Sequence, residues 1–210
     1  MSYMTMTMFA PRIWGFDLSS PEARIARQAG WRRSDILWEK LMEAANAAYS
    51  EGDSNRAASL FRRAHWIEWL GFDRNDPRRI TTRVNQSLLA RQVGRESAAR
   101  KGLRRARLAW PDTARGAIEA MQIAPRARSS LFHLRMEARH RETYHDNLRK
   151  RITSIAGETH DAICALETGG RPACRLYSRW RGEKPTVFDD TRKLLGACLL
   201  IMDPETGPDA

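Results

Sequence analysis

The sequence has few cysteines and no arrangement of them that points to a disulfide framework. Its 210 residues include only Cys164, Cys174 and Cys198, an odd number with wide spacing. Secreted disulfide scaffolds usually carry an even number of cysteines, and zinc sites carry them in short pairs. The pattern is typical of reduced thiols and predicts a cytoplasmic protein.

Long hydrophobic runs are also missing. The N-terminal residues 1–9 lack the charged region and the long apolar core of a secretory signal peptide. The longest apolar run near the C-terminus, residues 197–202, is far too short to cross a bilayer. We therefore expect no membrane insertion.

The arrangements that usually mark an enzyme are absent from the sequence as well. It contains no glycine-rich phosphate loop, no Ser-His-Asp pattern and no metal-ligating cysteine cluster. Glu137 and His140 have the spacing used in di-iron helix bundles, with His133 on the same helical face. That chemistry needs two such motifs, and the neighbouring Arg139 would repel a cation. We expect no catalytic residue, no metal and no cofactor.

Lysine is scarce, whereas arginine is abundant. The chain has 36 basic and 25 acidic residues, a net charge of +11, and only five of the basic residues are lysine. A basic balance favours acidic partners, and the planar guanidinium binds carboxylate or phosphate through two hydrogen bonds. A GC-rich coding sequence would produce the same excess of arginine, so both interpretations stay open.

Apolar residues recur at helical spacing along most of the chain, and no segment reads as a strand, so the predicted fold class is all-α. Ser20 and Pro21 open the first helix, which ends near Gly30. Trp110-Pro111-Asp112 is expected to end a later one. The predicted helices cover about residues 21–29, 34–51, 55–70, 80–93, 97–109, 113–123, 129–156, 158–167 and 188–201.

One spacing occurs twice, 42 residues apart. Gly52, Ala57, Phe61 and Ala64 recur as Gly94, Ala99, Leu103 and Ala106. The agreement extends to small residues of the preceding helices, where Ala45 answers to Ser87. This is the spacing of two antiparallel helices that cross closely enough to admit only small side chains, and repeated helix pairs are typical of a solenoid.

These residues resemble the tetratricopeptide repeat family, over about residues 36–112. In that family small residues face each other across a helix pair, glycine sits at the bend, and proline closes the second helix, as Pro111 would here. The period of 42 exceeds the family's typical 34, and the extra length falls at residues 66–79. The resemblance implies a short solenoid at residues 35–112, with atypical capping helices in residues 1–34 and 113–210.

Members of the family are generally binding modules, so the resemblance implies a scaffold, adaptor or assembly factor that binds a partner protein or a peptide, and the net positive charge predicts that the peptide is acidic. The first helix of each pair would line a concave groove. The implied groove residues are Met42, Asn46, Tyr49, Asn85, Leu88 and Gln92, with Arg83 and Arg91 nearby. Asn46 and Asn85 match a subclass that clamps a terminal carboxylate, but Met42 replaces its basic residue. Alternatively, the chain's own N-terminal segment, with Trp14 and Phe16, covers this groove.

Two further stretches are candidate contact sites. Trp66, Trp69 and Phe72 recur at every third position, either as an exposed anchor for a partner or as core that seals the longer repeat. A basic loop at residues 169–186 interleaves arginines with aromatic residues, a combination that binds single-stranded nucleic acid. Its candidate contacts are Arg171, Arg175, Arg179, Trp180 and Arg181. The alternative function is therefore a nucleic-acid-associated regulator that uses the arginine-rich C-terminal third.

Overall fold

The computed structural model describes residues 12–13, 16–122, 138–170, 187–198 and 200. Most of these residues lie in helices, so the predicted all-α class is confirmed. The helices are α1 (Pro21–Gln28), α2 (Arg33–Ser50), α3 (Ser54–Gly71), α4 (Arg78–Gln92), α5 (Glu96–Glu119), α6 (Ala138–Glu167) and α7 (Asp190–Ala197). Before α1, a two-residue antiparallel ladder pairs β1 (Arg12–Ile13) with β2 (Phe16–Asp17).

Two turns between helices have the same hydrogen-bonding pattern. Gly52 and Gly94 both adopt a φ of 79°, a left-handed conformation that glycine enters without strain. The next residue in each turn donates a backbone hydrogen bond to a carbonyl five positions earlier, Asp53 to Ala48 (2.9 Å) and Arg95 to Ala90 (2.8 Å). Each turn thus ends one helix and reverses the chain, as the sequence spacing predicts.

The helices pack as two successive pairs, α2 with α3 and α4 with α5, and the pairs meet through α3 and α4. Ser87 at the second predicted crossing is 6% exposed, and the alanines of the crossings are fully buried: Ala45, Ala48, Ala57, Ala64, Ala99 and Ala106. Phe61 and Leu103 fill the space beside them and are buried as well. A short loop, residues 72–77, joins the two pairs.

Helix α5 passes through Pro111, so the predicted helix end at Trp110-Pro111-Asp112 is wrong. Proline removes one backbone hydrogen bond, a cost that tertiary packing outweighs here. Trp110 is 1% exposed and donates its indole N–H to the carbonyl of Ala156 (2.9 Å), while Ala114 is buried one turn further on. Both sides of the proline are therefore held against α6.

Helix α6 also continues where the sequence predicts a break. Gly157 lies inside it, without a positive φ, so no third helix pair bends at this glycine. Neighbouring residues Ala156 and Ile163 are buried in the main core, which keeps the helix continuous across the glycine. The helix packs along α5.

The last helix, α7, is shorter than predicted, because it starts only at Asp190. Asp189 caps it by accepting a hydrogen bond from the backbone N–H of Arg192 (3.0 Å). The helix packs against α4 and α6. None of the helices in the described ranges is long and apolar enough to cross a membrane.

Candidate interaction surfaces

The residues expected to line an open groove are mostly in the core. Met42, Asn46 and Asn85 have no exposed surface, and Leu88 is 6% exposed. Tyr49 is half-buried and only Gln92 is exposed. The prediction that these side chains face an accessible groove is wrong for the four buried residues, since no partner can reach them in this conformation.

The C-terminal segment of the same chain covers this groove. The Thr81 hydroxyl of α4 donates a hydrogen bond to the carbonyl of Ala197 at the end of α7. Ala197, Cys198 and Leu200 belong to the same buried cluster as Met42. The N-terminal segment, which the sequence offered as the alternative cover, is described at residues 12–13 and from residue 16 onward. Phe16 is partly buried and packs against this core, whereas Trp14 lies outside the described residues.

Asn46 and Asn85 bind each other rather than a ligand. The Asn85 side-chain amide donates to the Asn46 carbonyl oxygen at 3.3 Å. Arg91, expected to assist the groove, instead pairs with Glu96 (3.3 Å). A carboxylate clamp built on the two asparagines has no access to a peptide terminus.

The tryptophan stripe divides into an exposed part and a core part. Trp66 is 55% exposed, Trp69 62% and the neighbouring Leu70 71%. The two indole rings stack edge to face with centroids 5.8 Å apart. We call these three residues the tryptophan patch. Phe72, by contrast, is 7% exposed and lies under the guanidinium of Arg78, 3.7 Å from its ring centre.

The exposed ionisable side chains of α3 next to the tryptophan patch are basic. The only acidic residue of α3 is Glu68, which is 1% exposed and accepts a hydrogen bond from the buried indole of Trp38 (2.9 Å). Arg62 and His65 are exposed one turn before Trp66 and Trp69. The outer face of α3 thus presents apolar rings and basic side chains but no carboxylate.

Two buried arginines hold the ends of the helix pairs together. Arg78 of α4 is 4% exposed and pairs with Asp35 of α2 (2.7 Å) and with Asp76 (2.6 Å). Burial by itself raises the pKa of Asp35, but the charge and the hydrogen bond of Arg78 outweigh it, so the pKa lies below its ordinary value of 3.8. Burial also opposes the charge of Arg78, yet its two carboxylate partners raise the pKa of the guanidinium.

The second buried arginine, Arg192, ties α7 to the other end of the chain. Its Nε donates to Glu39 of α2 (3.0 Å), and a terminal nitrogen lies 3.4 Å from Glu22 of α1. The guanidinium also stacks 4.0 Å from the ring centre of Phe188. Burial lowers the pKa of Arg192, but Glu39 and Glu22 raise it above its ordinary value. The sequence analysis missed both pairs. Asp35 and Glu39, one turn apart on α2, are the signal that could have found them, because carboxylates flanked by apolar residues such as Trp38 need buried cations.

A charged cleft of about 580 Å³ lies between the start of α4, the end of α5 and α7. Its walls mix both signs of charge, for example Asp73 and Asp112 with Arg32 and Lys193. Among the residues that the structure describes, no group of three or more histidine, cysteine or acidic side chains is arranged to hold a metal ion. The cleft thus carries four aspartates and three basic residues, a mixed lining that favours no single kind of ion.

Several predicted residues lie outside the described ranges or have no described side chain. They are Arg171, Arg175, Arg179, Trp180, Arg181 and Cys174 of the basic loop, His133 and Glu137, and the side chain of His140. Of the described cysteines, Cys198 is buried. Burial raises the pKa of the Cys164 thiol, although Arg107 opposes that change, so this thiol is less ionised than an ordinary cysteine.

Comparisons of the chain with protein-family descriptions, with curated proteins and with solved structures find no match. Function must therefore follow from the chain's own surfaces.

Proposed function

We propose that this protein is an interaction module that binds an acidic partner protein through the outer face of α3. The observation that carries the proposal is the tryptophan patch, Trp66, Trp69 and Leu70, where three large apolar side chains are each more than half exposed. Isolated exposed apolar residues are ordinary, but contiguous apolar patches on monomers commonly mark binding sites. Tryptophan is also enriched among the residues that dominate interface energies.

The chemistry of the partner follows from the charges around the patch. Arg62 is exposed beside it, and the one carboxylate of α3, Glu68, is buried with its oxygen 3.5 Å from the ring of the exposed His65. A partner segment with apolar side chains at the centre and acidic groups at its edge would be complementary in both respects. The net charge of +11 favours approach of such a partner.

The arrangement of α2 to α5 supports a scaffold role. We interpret these helices as two units of a tetratricopeptide-like repeat, because both pairs turn at a left-handed glycine and cross at buried small residues. In this proposal the repeat surface that binds the partner is the outer one, since α7 and Leu200 cover the groove side. The odd number and wide spacing of the three cysteines support a cytoplasmic location in this proposal.

Replacing Trp66 and Trp69 together with Ala tests the proposal. A partner is first isolated by affinity capture, and its purified form is then titrated against each variant. We expect the double variant to bind at least about 30-fold more weakly, since truncation at an interface hot spot costs about 2 kcal/mol or more. The melting temperature should change little, because both rings lie largely in solvent.

The matched control replaces Ile25 and Val93 with Ala, two apolar residues that are 55% and 49% exposed on other parts of the surface. This control should bind like the unaltered protein. Equal affinities of the unaltered protein and the Trp66/Trp69 variant would contradict the proposal. Binding that falls equally in both variants would show that exposed apolar area in general, and not this patch, attracts the partner.

A further inference from the structure

Helix α5 carries a basic face that the sequence analysis did not single out. Arg100, Lys101, Arg104 and Arg105 are all exposed, in two rows one helical turn apart. No acidic residue occurs in α5 between Glu96 and Asp112. We call these four residues the α5 basic face. The opposite side of the same turns is buried, with Leu103 at 0% exposure.

The α5 basic face lines a concave surface. It forms the wall of a cleft of about 720 Å³, whose other charged residues are Glu96 and Glu167. Both carboxylates already have cationic partners, because Glu96 pairs with Arg91 (3.3 Å) and Glu167 pairs with Arg107. The cleft is therefore open, concave and positively charged.

Such a face works against the stability of its own helix. Arg100 with Arg104, and Lys101 with Arg105, are like charges four residues apart, an arrangement that destabilises a helix. Within α5, the carboxylate that offsets this repulsion is that of Glu96, 3.9 Å from Arg100. Like charges held side by side on a rigid helix favour an anionic ligand with regularly repeated charges.

The residues around the α5 basic face indicate which class of anionic partner it fits: a membrane surface, a nucleic acid or a protein. A membrane-surface helix needs an accessible apolar side, but that side of α5 is in the core. Single-stranded nucleic acid is usually bound with stacking aromatics, and the one aromatic residue of α5, Trp110, is 1% exposed. A protein interface needs apolar anchors, of which only Leu108 is present, 62% exposed.

We propose that the α5 basic face binds the phosphate backbone of double-stranded nucleic acid, without sequence preference. Guanidinium groups bind phosphate oxygens through paired hydrogen bonds, and contacts to the backbone alone carry no base information. This activity goes beyond the proposed protein partner and uses a different helix. Its success or failure is therefore independent of the tryptophan patch.

The test measures binding of the full chain to fluorescent duplexes of DNA and RNA, about two helical turns long and of mixed sequence, over a range of salt concentrations. A variant with Arg100, Lys101, Arg104 and Arg105 replaced by Gln is compared with a charge-matched control. The control replaces four exposed arginines on other elements with Gln: Arg24, Arg33, Arg74 and Arg83. The DNA and RNA arms decide which duplex is preferred.

We expect the logarithm of affinity to fall linearly with the logarithm of salt concentration. The magnitude of this slope should fall by about 0.9 for each phosphate contact that is lost, and therefore by about 3 to 4 in the α5 variant. The control should keep most of the slope. Replacing Arg100, Arg104 and Arg105 with Lys preserves the charge and should preserve the slope. A preserved slope in this variant would show that the Gln variant loses phosphate contacts and has not simply unfolded.

Several outcomes would overturn the proposal. One is an equal loss of slope in the α5 variant and in the control, which would assign binding to total charge. Another is loss of binding only when Arg171, Arg175 and Arg179 are replaced. A third is tighter binding of polyglutamate than of either duplex at equal salt, which would assign the face to an acidic protein.

Discussion

Arg78 and Asp35 show how a single buried ion pair joins the two helix pairs. The Arg78 guanidinium lies between two carboxylates and over the ring of Phe72, so its charge and its flat faces are both satisfied. Removing one partner of such a pair leaves an uncompensated charge in the core. This costs far more free energy of folding than replacing both partners with apolar residues. The structure thus depends on both partners being ionised.

Replacing Asp35 with Asn should lower the free energy of unfolding at pH 7 by about 3 kcal/mol, near the low end for a broken buried pair because Asp76 still neutralises Arg78. The pKa of Asp35 is depressed in the folded state, so its ionised form stabilises the protein above a pH of about 3.8. That stabilisation is lost as the pH falls through the depressed pKa. The difference between the two proteins, measured by urea denaturation, should therefore shrink in strong acid.

The exposed Glu142 offers a control for this measurement, since it lies on the solvent side of α6. Replacing it with Gln should leave the unfolding free energy within about 0.5 kcal/mol at every pH. The role of the ionised carboxyl would be contradicted if the difference between the Asp35→Asn variant and the unaltered protein persisted undiminished into strong acid, below the depressed pKa of Asp35.

The close crossing of α4 and α5 depends on glycine as well as alanine. A Cβ atom at Gly102 would stand 2.1 Å from the hydroxyl oxygen of Ser87 and 3.3 Å from its Cβ. That hydroxyl cannot simply rotate away without losing its hydrogen bond to the carbonyl of Arg83 (2.7 Å). Gly102 is therefore required by packing, although glycine is a poor helix former.

Gly102 and Gly116 lie in the same helix and should respond with opposite signs to replacement by Ala. At Gly102 the added methyl group overpacks the crossing, and we expect a loss of about 1–3 kcal/mol. At Gly116 a Cβ would meet nothing within 4 Å, so the higher helix propensity of Ala should add about 0.5–1 kcal/mol. Chemical denaturation of the two single variants measures both effects.

A further replacement of Ser87 with Ala removes the hydroxyl that the new methyl group would meet. It should restore most of the stability lost at Gly102. If the two glycine variants were stabilised alike, α4 and α5 would not approach each other closely at Gly102.

Across the whole chain, α7 connects the end of the sequence to its beginning. Arg192 reaches Glu39 and Glu22, residues on the first two helices, and Leu200 is fully buried in the main core. The contacts close the groove side of the helix pairs, which leaves the outer faces of α3 and α5 accessible. Both proposed binding sites lie on these outer helices.

Arg192 and Lys193 are adjacent basic residues whose replacement by Met should have very different effects. Losing Arg192 removes the buried cation that pairs with Glu39 and Glu22, with an expected cost of about 3–5 kcal/mol. Losing Lys193 removes only a partly exposed pair with Asp190, worth about 0–1 kcal/mol. Thermal unfolding of both variants is the measurement. Similar melting temperatures would show that α7 does not anchor the closed arrangement.

Local patterns predicted the first four helices well. Ser20 caps the start of α1, and Gly52 and Gly94 form the turns that follow α2 and α4. The small residues at the crossings repeat at helical spacing. Each of these signals spans only a few residues, so it can be read without knowledge of the rest of the chain. The candidate sites could not be predicted in the same way, because the exposure of their side chains depends on segments that are distant in the sequence.

The sequence by itself determined the all-α class, the turns at Gly52 and Gly94 and the small residues of the helix crossings, because each follows from backbone conformation or helical spacing. Only the tertiary structure decided that α5 continues through Pro111, where packing of Trp110 outweighs one missing hydrogen bond. It likewise decided which side chains are accessible. Thr81 is buried beneath Ala197, a residue 116 positions further along the chain, whereas Trp69 stays in solvent. Burial is set by long-range contacts, and no local pattern contains them.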